Sequence, residues 1–489
     1  MSTRSAIFWI EFSSTLDFER TTLRKTGTRP YSACIVSVSL FAILFPLLLQ
    51  AAGFRTVSSH EDAEKHYRDG VRLLLKHNLG KAEASFLKAL SFDPNNGKIH
   101  WETGWVYWQK KNWKKTMHHW NRTRELTPQQ KELDRFYRLA EQYLKWERQS
   151  KQPDRVYRIA SSFGGSEVDR VSIVAVGDIM MGSDFKGAAK LPPHEGRHLL
   201  EHISSSLIGD IVFGNLEGPL TRSSVSTKCK KGGNCYIFRT PVHYARNLKS
   251  AGFTVVNIAN NHIMDFGPSG VEDTLTALSE NGIAAFGHIA QPRTIIEANG
   301  IKVGFYGVST SYCCLHINQL GHSKREVNRL KNKTDIVVVS FHAGAEGLNA
   351  LHTPREREYF FGEDRGEVRE FAHRMIDAGA DLVLGHGPHT LRGIELYKGK
   401  AIAYSLGNFL GYLGFNVSGH LKYSMIFQAT IEKTGKLKEI DVIPIALNSK
   451  AVPKIDPKGT SLFLLNDLSR TDFSRNAIIL DSTGHWQSE

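Results

Sequence analysis

Five short stretches between residues 177 and 389 carry side chains of the kinds that bind metals and move protons. They are Gly177-Asp178, Asn215-Leu216-Glu217, Asn260-Asn261-His262, His342 with Glu346, and Gly385-His386-Gly387-Pro388-His389. Hard carboxylate and amide oxygens mixed with imidazoles suit Mn, Fe or Zn rather than a closed structural zinc site. Two such ions roughly 3.5–4 Å apart clamp a phosphoryl group and activate a water for in-line attack. Taken singly, each stretch has a plainer reading. An Asp after Gly ends many strands and caps the helix that follows, Asn-Asn tolerates left-handed turns, and a lone His386 is commonly a hydrogen-bonded core residue. Glu217 is harder to set aside, because it closes an apolar strand and burying an unpartnered carboxylate is costly. Five such stretches in order, each after an apolar run, point to a metal or catalytic site.

The elements that must position them are legible as alternating patterns. Residues 171–177, 211–214, 254–259, 302–307, 335–341, 381–385 and 401–406 read as strands, with helical stretches at 241–251, 268–281 and 365–379 between them. This alternation predicts an α/β layered domain over 171–455. Carboxyl ends of strands are where open α/β sheets place ligand sites. A hairpin turning near Gly435 closes the pattern, and the 456–489 extension carries no recognisable motif.

The rest of the chain sets the context. Its 489 residues, 41% hydrophobic and 23% charged, suit two or three folded units and exclude a wholly disordered or fibrous protein. Only 33–54 is long and apolar enough to concern a membrane, so a polytopic membrane protein is excluded. Arg20, Arg24, Lys25 and Arg29 precede that segment, which orients residues 1–32 in the cytoplasm and sends the remainder across the membrane. It reads equally as an uncleaved single-pass anchor or a cleaved signal peptide, the latter leaving a secreted or periplasmic protein. Five cysteines are too few for a disulfide scaffold, although Cys229 and Cys235 bracket a loop that a disulfide outside the cytoplasm would close. Cys313-Cys314 lacks a paired base and reads as structural.

Between residues 60 and 150 the chain repeats itself. Gly70, Leu79, Ala82, Phe86 and Pro94 recur as Gly104, Trp113, Thr116, Trp120 and Pro128, each 34 residues on. That period, with small residues where two helices cross, is the tetratricopeptide signature, and 129–148 reads as its capping helix. Trp101, Trp105, Trp108 and Trp120 fall at helix-packing positions. Residues 60–170 hold 22 Lys/Arg against 15 Asp/Glu, about half of the net +13. With 151–170 reading as a linker, this basic region suits an anionic polymer of the envelope better than nucleic acid, and the repeats suit a synthase subunit.

The order GD, GNLEG, ANNHxxDxG, HxGxE and GHxPH, followed by Tyr404-Ser405-Leu406-Gly407-Asn408-Phe409, resembles the capsule-synthesis CapA family. This is the poly-γ-glutamate synthesis group of the calcineurin-like metallophosphatase superfamily. The resemblance covers about 171–412. It implies a four-layer α/β/β/α sandwich, two divalent metals, and a role in capsule or poly-γ-glutamate biosynthesis, whether as a hydrolase or as a non-catalytic accessory. Carried over by position, Asp178, Glu217, Asn261, His342, His386 and His389 would hold the metals. His262 would sit beside the substrate as acid or electrostatic stabiliser, with Asp265 orienting it. Asn215, Glu346 and Asn408 would line the pocket. The chain departs from the superfamily at Asp178-Ile179-Met180, where Asp-x-His is usual, and at Gly214-Asn215-Leu216-Glu217, where an Asp is usual.

Overall fold

The computed structural model describes residues 44–129, 132–159, 169–185, 190–226, 228 and 236–488. These form two compact units, one ending at Lys145 and one beginning at Trp146.

The first unit is helical, with α1 (Leu44–Leu75), α2 (Leu79–Phe92), α3 (Gly97–Gln109), α4 (Trp113–Leu126) and the start of α5 (Leu133–Ser150). The 34-residue repeat has a physical basis here. A Cβ on Gly70 would lie 2.7 Å from the Phe86 ring, and one on Gly104 would lie 2.1 Å from Trp120 Nε1, so glycine lets α1 meet α2 and α3 meet α4. Asn78 and Asn112, also 34 apart, cap α2 and α4 by accepting from the Lys81 and Lys115 amides at 3.3 and 3.2 Å. Trp101, Trp105 and Trp120 are buried in the common core with Phe86, Ile99 and Phe136. Of the expected membrane segment, residues 33–43 lie outside the described residues. Among the described residues no helix is long and apolar enough to cross a membrane.

The second unit is a mixed α/β structure. Its strands are β1 (Val156–Arg158), β2 (Arg170–Met180), β3 (Ile211–Leu216), β4 (Val255–Asn257), β5 (Ala284–Phe286), β6 (Arg293–Ala298), β7 (Ile301–Ser309), β8 (Ile336–His342), β9 (Glu358–Phe360), β10 (Glu363–Gly366), β11 (Leu382–His386), β12 (Leu391–Tyr397), β13 (Lys400–Leu406), β14 (Asn408–Gly411), β15 (Tyr423–Glu432), β16 (Leu437–Leu447), β17 (Pro453–Ile455) and β18 (His485–Gln487). One sheet runs β1-β6-β7-β8-β11-β13-β12. The other runs β17-β16-β15-β2-β3-β4-β5, with β14 on β2 and β18 on β16; β9 and β10 pair separately.

The two large sheets share one apolar core. Val171, Ile173 and Ala175 of β2 and Ile211 and Phe213 of β3 meet Val303 and Phe305 of β7, Val338 of β8 and Leu382 and Leu384 of β11. Alternate residues of β7 and β8 face the other way. There Tyr306, Val308, Val337, Val339 and Phe341 bury α8 (Leu320–Lys331) and α9 (Val368–Asp377) through Val327, Leu330, Phe371 and Met375. On the other sheet, α6 (Ala245–Ser250) and α7 (Gly267–Glu280) follow β3 and β4, and α7 packs on β5.

Two regions differ from the expected organisation. Within the expected linker, β1 pairs in parallel with β6 as an edge strand. The expected extension is part of the core: α10 (Thr460–Phe473) buries Leu462, Leu465 and Leu468 between the sheets and β18 extends one of them. The strands β1 and β18 have three residues each, too few to show a period. The Cys229–Cys235 disulfide lies outside the described residues.

Candidate metal centre

The inward face of each strand, continued to its carboxyl end, delivers the site. On β8 the inward residues end with Ser340 and His342, and on β11 they end with His386, which pairs in register with His342. On β3 they end with Asn215. By strict alternation Asp178 of β2 would point away. A bulge prevents this: Ala175 pairs with Phe213 but Asp178 pairs with Asn215, so β2 spends one extra residue and turns Asp178 inward. Close backbone contact fixes the bulge. The Asp178 amide donates to the Gly407 carbonyl at 3.0 Å, and a Cβ on Gly177 would lie 1.9 Å from that oxygen. Gly407, at φ 74, is where the chain steps from β13 in one sheet to β14 in the other.

Around Asp178 the polar groups converge. Asn215 Nδ2 donates to Asp178 Oδ1 at 2.8 Å, and His389 Nδ1 lies 3.0 Å from Asp178 Oδ2. Glu217 Oε1 is faced by three imidazole Nε2 atoms, those of His389 at 3.5 Å and of His342 and His262 at 4.0 Å each. His389 sits at φ 58, a left-handed conformation costly for a non-glycine residue, and Asn408 holds it through an Nδ1–Oδ1 contact of 3.0 Å and an Nδ2 bond to its carbonyl at 3.1 Å. Burial pushes the Glu217 carboxyl well above its ordinary value and His342 well below its own. Burial would lower His389 too, but the Glu217 charge and the Asp178 bond hold it up at about 10.

Whether these residues suit a metal is decided by their unmet valences. Both Glu217 oxygens, Asn261 Oδ1 and His342 Nε2 are buried without a hydrogen-bond partner. Asp178, Glu217 and His389 each offer a ligand atom within 4.8 Å of the others. Orphaned hard donors with imidazole nitrogens fit a divalent cation, which would relieve a burial cost of about 1–3 kcal/mol per unmet group.

A second cluster adjoins this one. His262 Nδ1 contacts Asp265 Oδ2 at 2.8 Å, and its ring stacks on Phe238 with centroids 4.0 Å apart. Asp265 Oδ2 also accepts from the Phe238 amide at 2.8 Å, and Lys228 Nζ lies 2.5 Å from Asp265 Oδ1 and 3.0 Å from His262 Nδ1. Burial and the Lys228 charge lower the pKa of His262, which favours the neutral imidazole. Asn260 is structural: its Oδ1 caps the His262 and Ile263 amides at 3.1 and 3.0 Å and its Nδ2 donates to the Leu216 carbonyl at 2.8 Å.

Residues 172–412 match the model of the bacterial capsule synthesis protein PGA_cap family. The PGA biosynthesis protein CapA of Bacillus subtilis (strain 168) is 30% identical over 298 residues, covering 57% of this chain and 72% of that protein. The chain belongs to the PGA_cap family. The capsule biosynthesis protein CapA of Bacillus anthracis is 29% identical over 300 residues, covering 57% of this chain and 68% of that protein. A "probable polyglutamine synthesis accessory protein" of Mycobacterium tuberculosis (strain ATCC 25618 / H37Rv) is 28% identical over 248 residues, 44% of this chain and 61% of that one.

Within the PGA_cap region the expected site residues separate into groups. Asp178, Glu217, His389, His342, His262 and Asn215 come together, with Asp265 behind His262 and Asn408 behind His389. Glu346 stands at the margin, Oε2 4.0 Å from His389 Nε2, and its other oxygen pairs with buried Arg365 at 2.7 Å. His386 does not join the ligand atoms. Its Nε2 is 3.2 Å from the Val176 carbonyl and its Nδ1 is 3.4 Å from Ser340 Oγ, so both nitrogens are engaged beneath the site. Lys228, Phe238 and Arg365 were not expected here. Of these, only Lys228 carries a sequence signal, as one of three lysines at 228, 230 and 231. Buried Cys313 packs behind the site, its Sγ 3.7 Å from the Asn260 carbonyl.

Proposed function

We propose that this chain is an exported, metal-dependent hydrolase-type protein of capsule or poly-γ-glutamate biosynthesis at the cell envelope. The carrying observation is buried Glu217, whose two oxygens lack hydrogen-bond partners while three imidazole Nε2 atoms stand 3.5–4.0 Å from Oε1. The printed names of the relatives supply the polymer. Asp178, Glu217 and His389, with His342 beside them, would hold the divalent ion, Mn, Fe or Zn, and the unpartnered Asn261 Oδ1 is the further donor expected from the sequence. Such an ion supplies Lewis acidity toward an anionic substrate oxygen.

The chain's own residues supply the proton chemistry. Asp265 Oδ2 is the acceptor that favours a proton on His262 Nδ1 and leaves Nε2 a lone pair facing Glu217 and the site; in that tautomer the Lys228 ammonium bonds Asp265 Oδ1 rather than the ring. His262 therefore accepts a proton there, and Asp265 and Lys228 hold its orientation. Residues 60–150 serve as a tetratricopeptide-like unit that recruits a synthase subunit, and 33–54 tethers or exports the chain.

The test is metal content and generic phosphodiester hydrolysis of the purified full chain. The wild type retains Mn, Fe or Zn, Asp178→Asn and His389→Ala lose metal and activity, and His262→Ala keeps metal but loses roughly 10²–10⁴ in rate. A folded, metal-free wild type overturns the reading. The accessory reading draws support from the departure at Met180, whose Sδ accepts from the Gly182 amide at 3.1 Å where an imidazole is usual. It prevails if His389→Ala leaves polymer production in cells unchanged while deletion of 60–150 abolishes it.

A further inference from the structure

Three turns of the second unit meet far from the metal centre and enclose an open cleft of about 320 Å³. They are the Asn299-Gly300 turn between β6 and β7, the 331–335 connection from α8 to β8, and the turn after Glu432 between β15 and β16. Lys302, Lys331, Lys333 and Lys433 line it, with Asp335 as the one carboxylate among the lining residues. Two of these lysines are committed: Lys331 Nζ bonds Asp381 Oδ2 at 2.9 Å, and Lys333 Nζ bonds Asp154 Oδ2 at 2.8 Å. Asp335 is committed as well, its Oδ2 accepting from the Lys302 amide at 2.8 Å. Lys302 and Lys433 are exposed, and among the described residues their ammonium groups have no carboxylate partner.

We propose that this cleft is a second binding site, for the carboxylates of an extended anionic polymer. Compact ammonium groups recognise point anions, and the lining has neither an arginine fork nor an aromatic surface for a base or a sugar ring. Its position selects for length. Lys302 is the second residue of β7, and Ser309, which ends β7, pairs with His342 of the metal centre. Seven residues at about 3.3 Å each put the cleft roughly 23 Å from that centre. A small substrate cannot touch both, whereas a long chain engages both at once and gains through effective concentration. The polymer identity rests on the function proposed above; the charge geometry does not.

The test compares retention of long poly-γ-glutamate, a short oligomer of it, and dextran sulfate by the purified full chain at low salt. Lys302→Glu with Lys433→Glu lowers affinity for the long polymer about tenfold or more. The same variant leaves metal content and phosphodiester hydrolysis unchanged, and its loss of affinity is smaller for the short oligomer, which cannot engage both sites at once. Asp178→Asn still retains the polymer through the cleft. Wild-type affinity in the double lysine variant, or no retention by the wild type, overturns the site whatever the metal result. Equal, lysine-dependent retention of dextran sulfate overturns the carboxylate assignment. A metal-free protein whose polymer retention still depends on the two lysines sinks only the hydrolase reading.

Discussion

At the residue scale, His386 and His389 stand three positions apart in one motif and do opposite work. His389 has its ring between Asp178 and Glu217, whereas His386 spends both nitrogens on Ser340 and the Val176 carbonyl. His386→Ala is therefore expected to lower stability by roughly 2–4 kcal/mol, from the cavity and the abandoned partners, while metal content holds. His389→Ala is expected to do the reverse; urea melts and metal analysis on both variants check this. The residue types were legible in the sequence, but which histidine joins the Asp178–Glu217 cluster depends on backbone direction after β11, which no spacing encodes. A second residue-scale expectation concerns Glu102 of α3, whose Oε2 is buried without a partner and whose pKa burial raises to about 8. The folded chain holds that proton between the unfolded value near 4.3 and about 8, so stability is lost as pH rises through that window. Glu102→Gln should match the wild type near pH 4 and exceed it by on the order of 5 kcal/mol at pH 8.5, read from melts of the helical signal. A gap that does not change with pH contradicts the assignment.

At the element scale, the site depends on one irregularity and one crossing. The bulge between Ala175 and Asp178 turns the carboxylate inward, and the step from β13 to β14 at Gly407 lays a carbonyl against Gly177. Gly177→Ala would drive a methyl into that carbonyl, 1.9 Å away, where neither strand can yield without breaking the Asp178 amide bond. The expected cost is about 3 kcal/mol or more, with metal binding lost even in protein that still folds. Gly80→Ala, on α2 with open space around it, serves as the control and should be neutral or slightly stabilising. The seven strands expected from apolar runs all form, because each is buried on both faces over most of its length and its residues are mainly apolar, with small Ala and Gly among the Val, Ile, Leu and Phe. The bulge was not legible, since an extra residue leaves composition unchanged. The β9–β10 hairpin was hidden for another reason: its strands are short and β10 is largely charged, and Glu358 is held by paired bonds from buried Arg392 at 2.9 and 2.6 Å.

At the scale of the second unit, the two sheets are closed by the chain's last segment. Leu462, Leu465 and Leu468 of α10, with Ile478 and Leu480 beyond it, enter the core shared by both sheets. The Ser469 hydroxyl accepts from the Ile394 amide of β12 at 2.8 Å, and Gly393 lies so close that a Cβ there would be 2.7 Å from the Ser469 backbone. A segment that contributes no residue to the candidate site thus completes the scaffold that carries β8 and β11 to it. Five buried aliphatic side chains at about 1.5–3 kcal/mol each amount to the whole net stability of an ordinary domain, about 5–15 kcal/mol. A chain ending at residue 455 is therefore expected not to reach the native state and to hold no metal. Because a misfolded truncation proves little, the sharper measurement is Leu465→Ala in the full chain. The expected loss is about 2–5 kcal/mol in urea with metal stoichiometry intact. If the truncated chain instead melts cooperatively at the wild-type midpoint, residues 456–489 are an appendage and the closure of the core lies elsewhere.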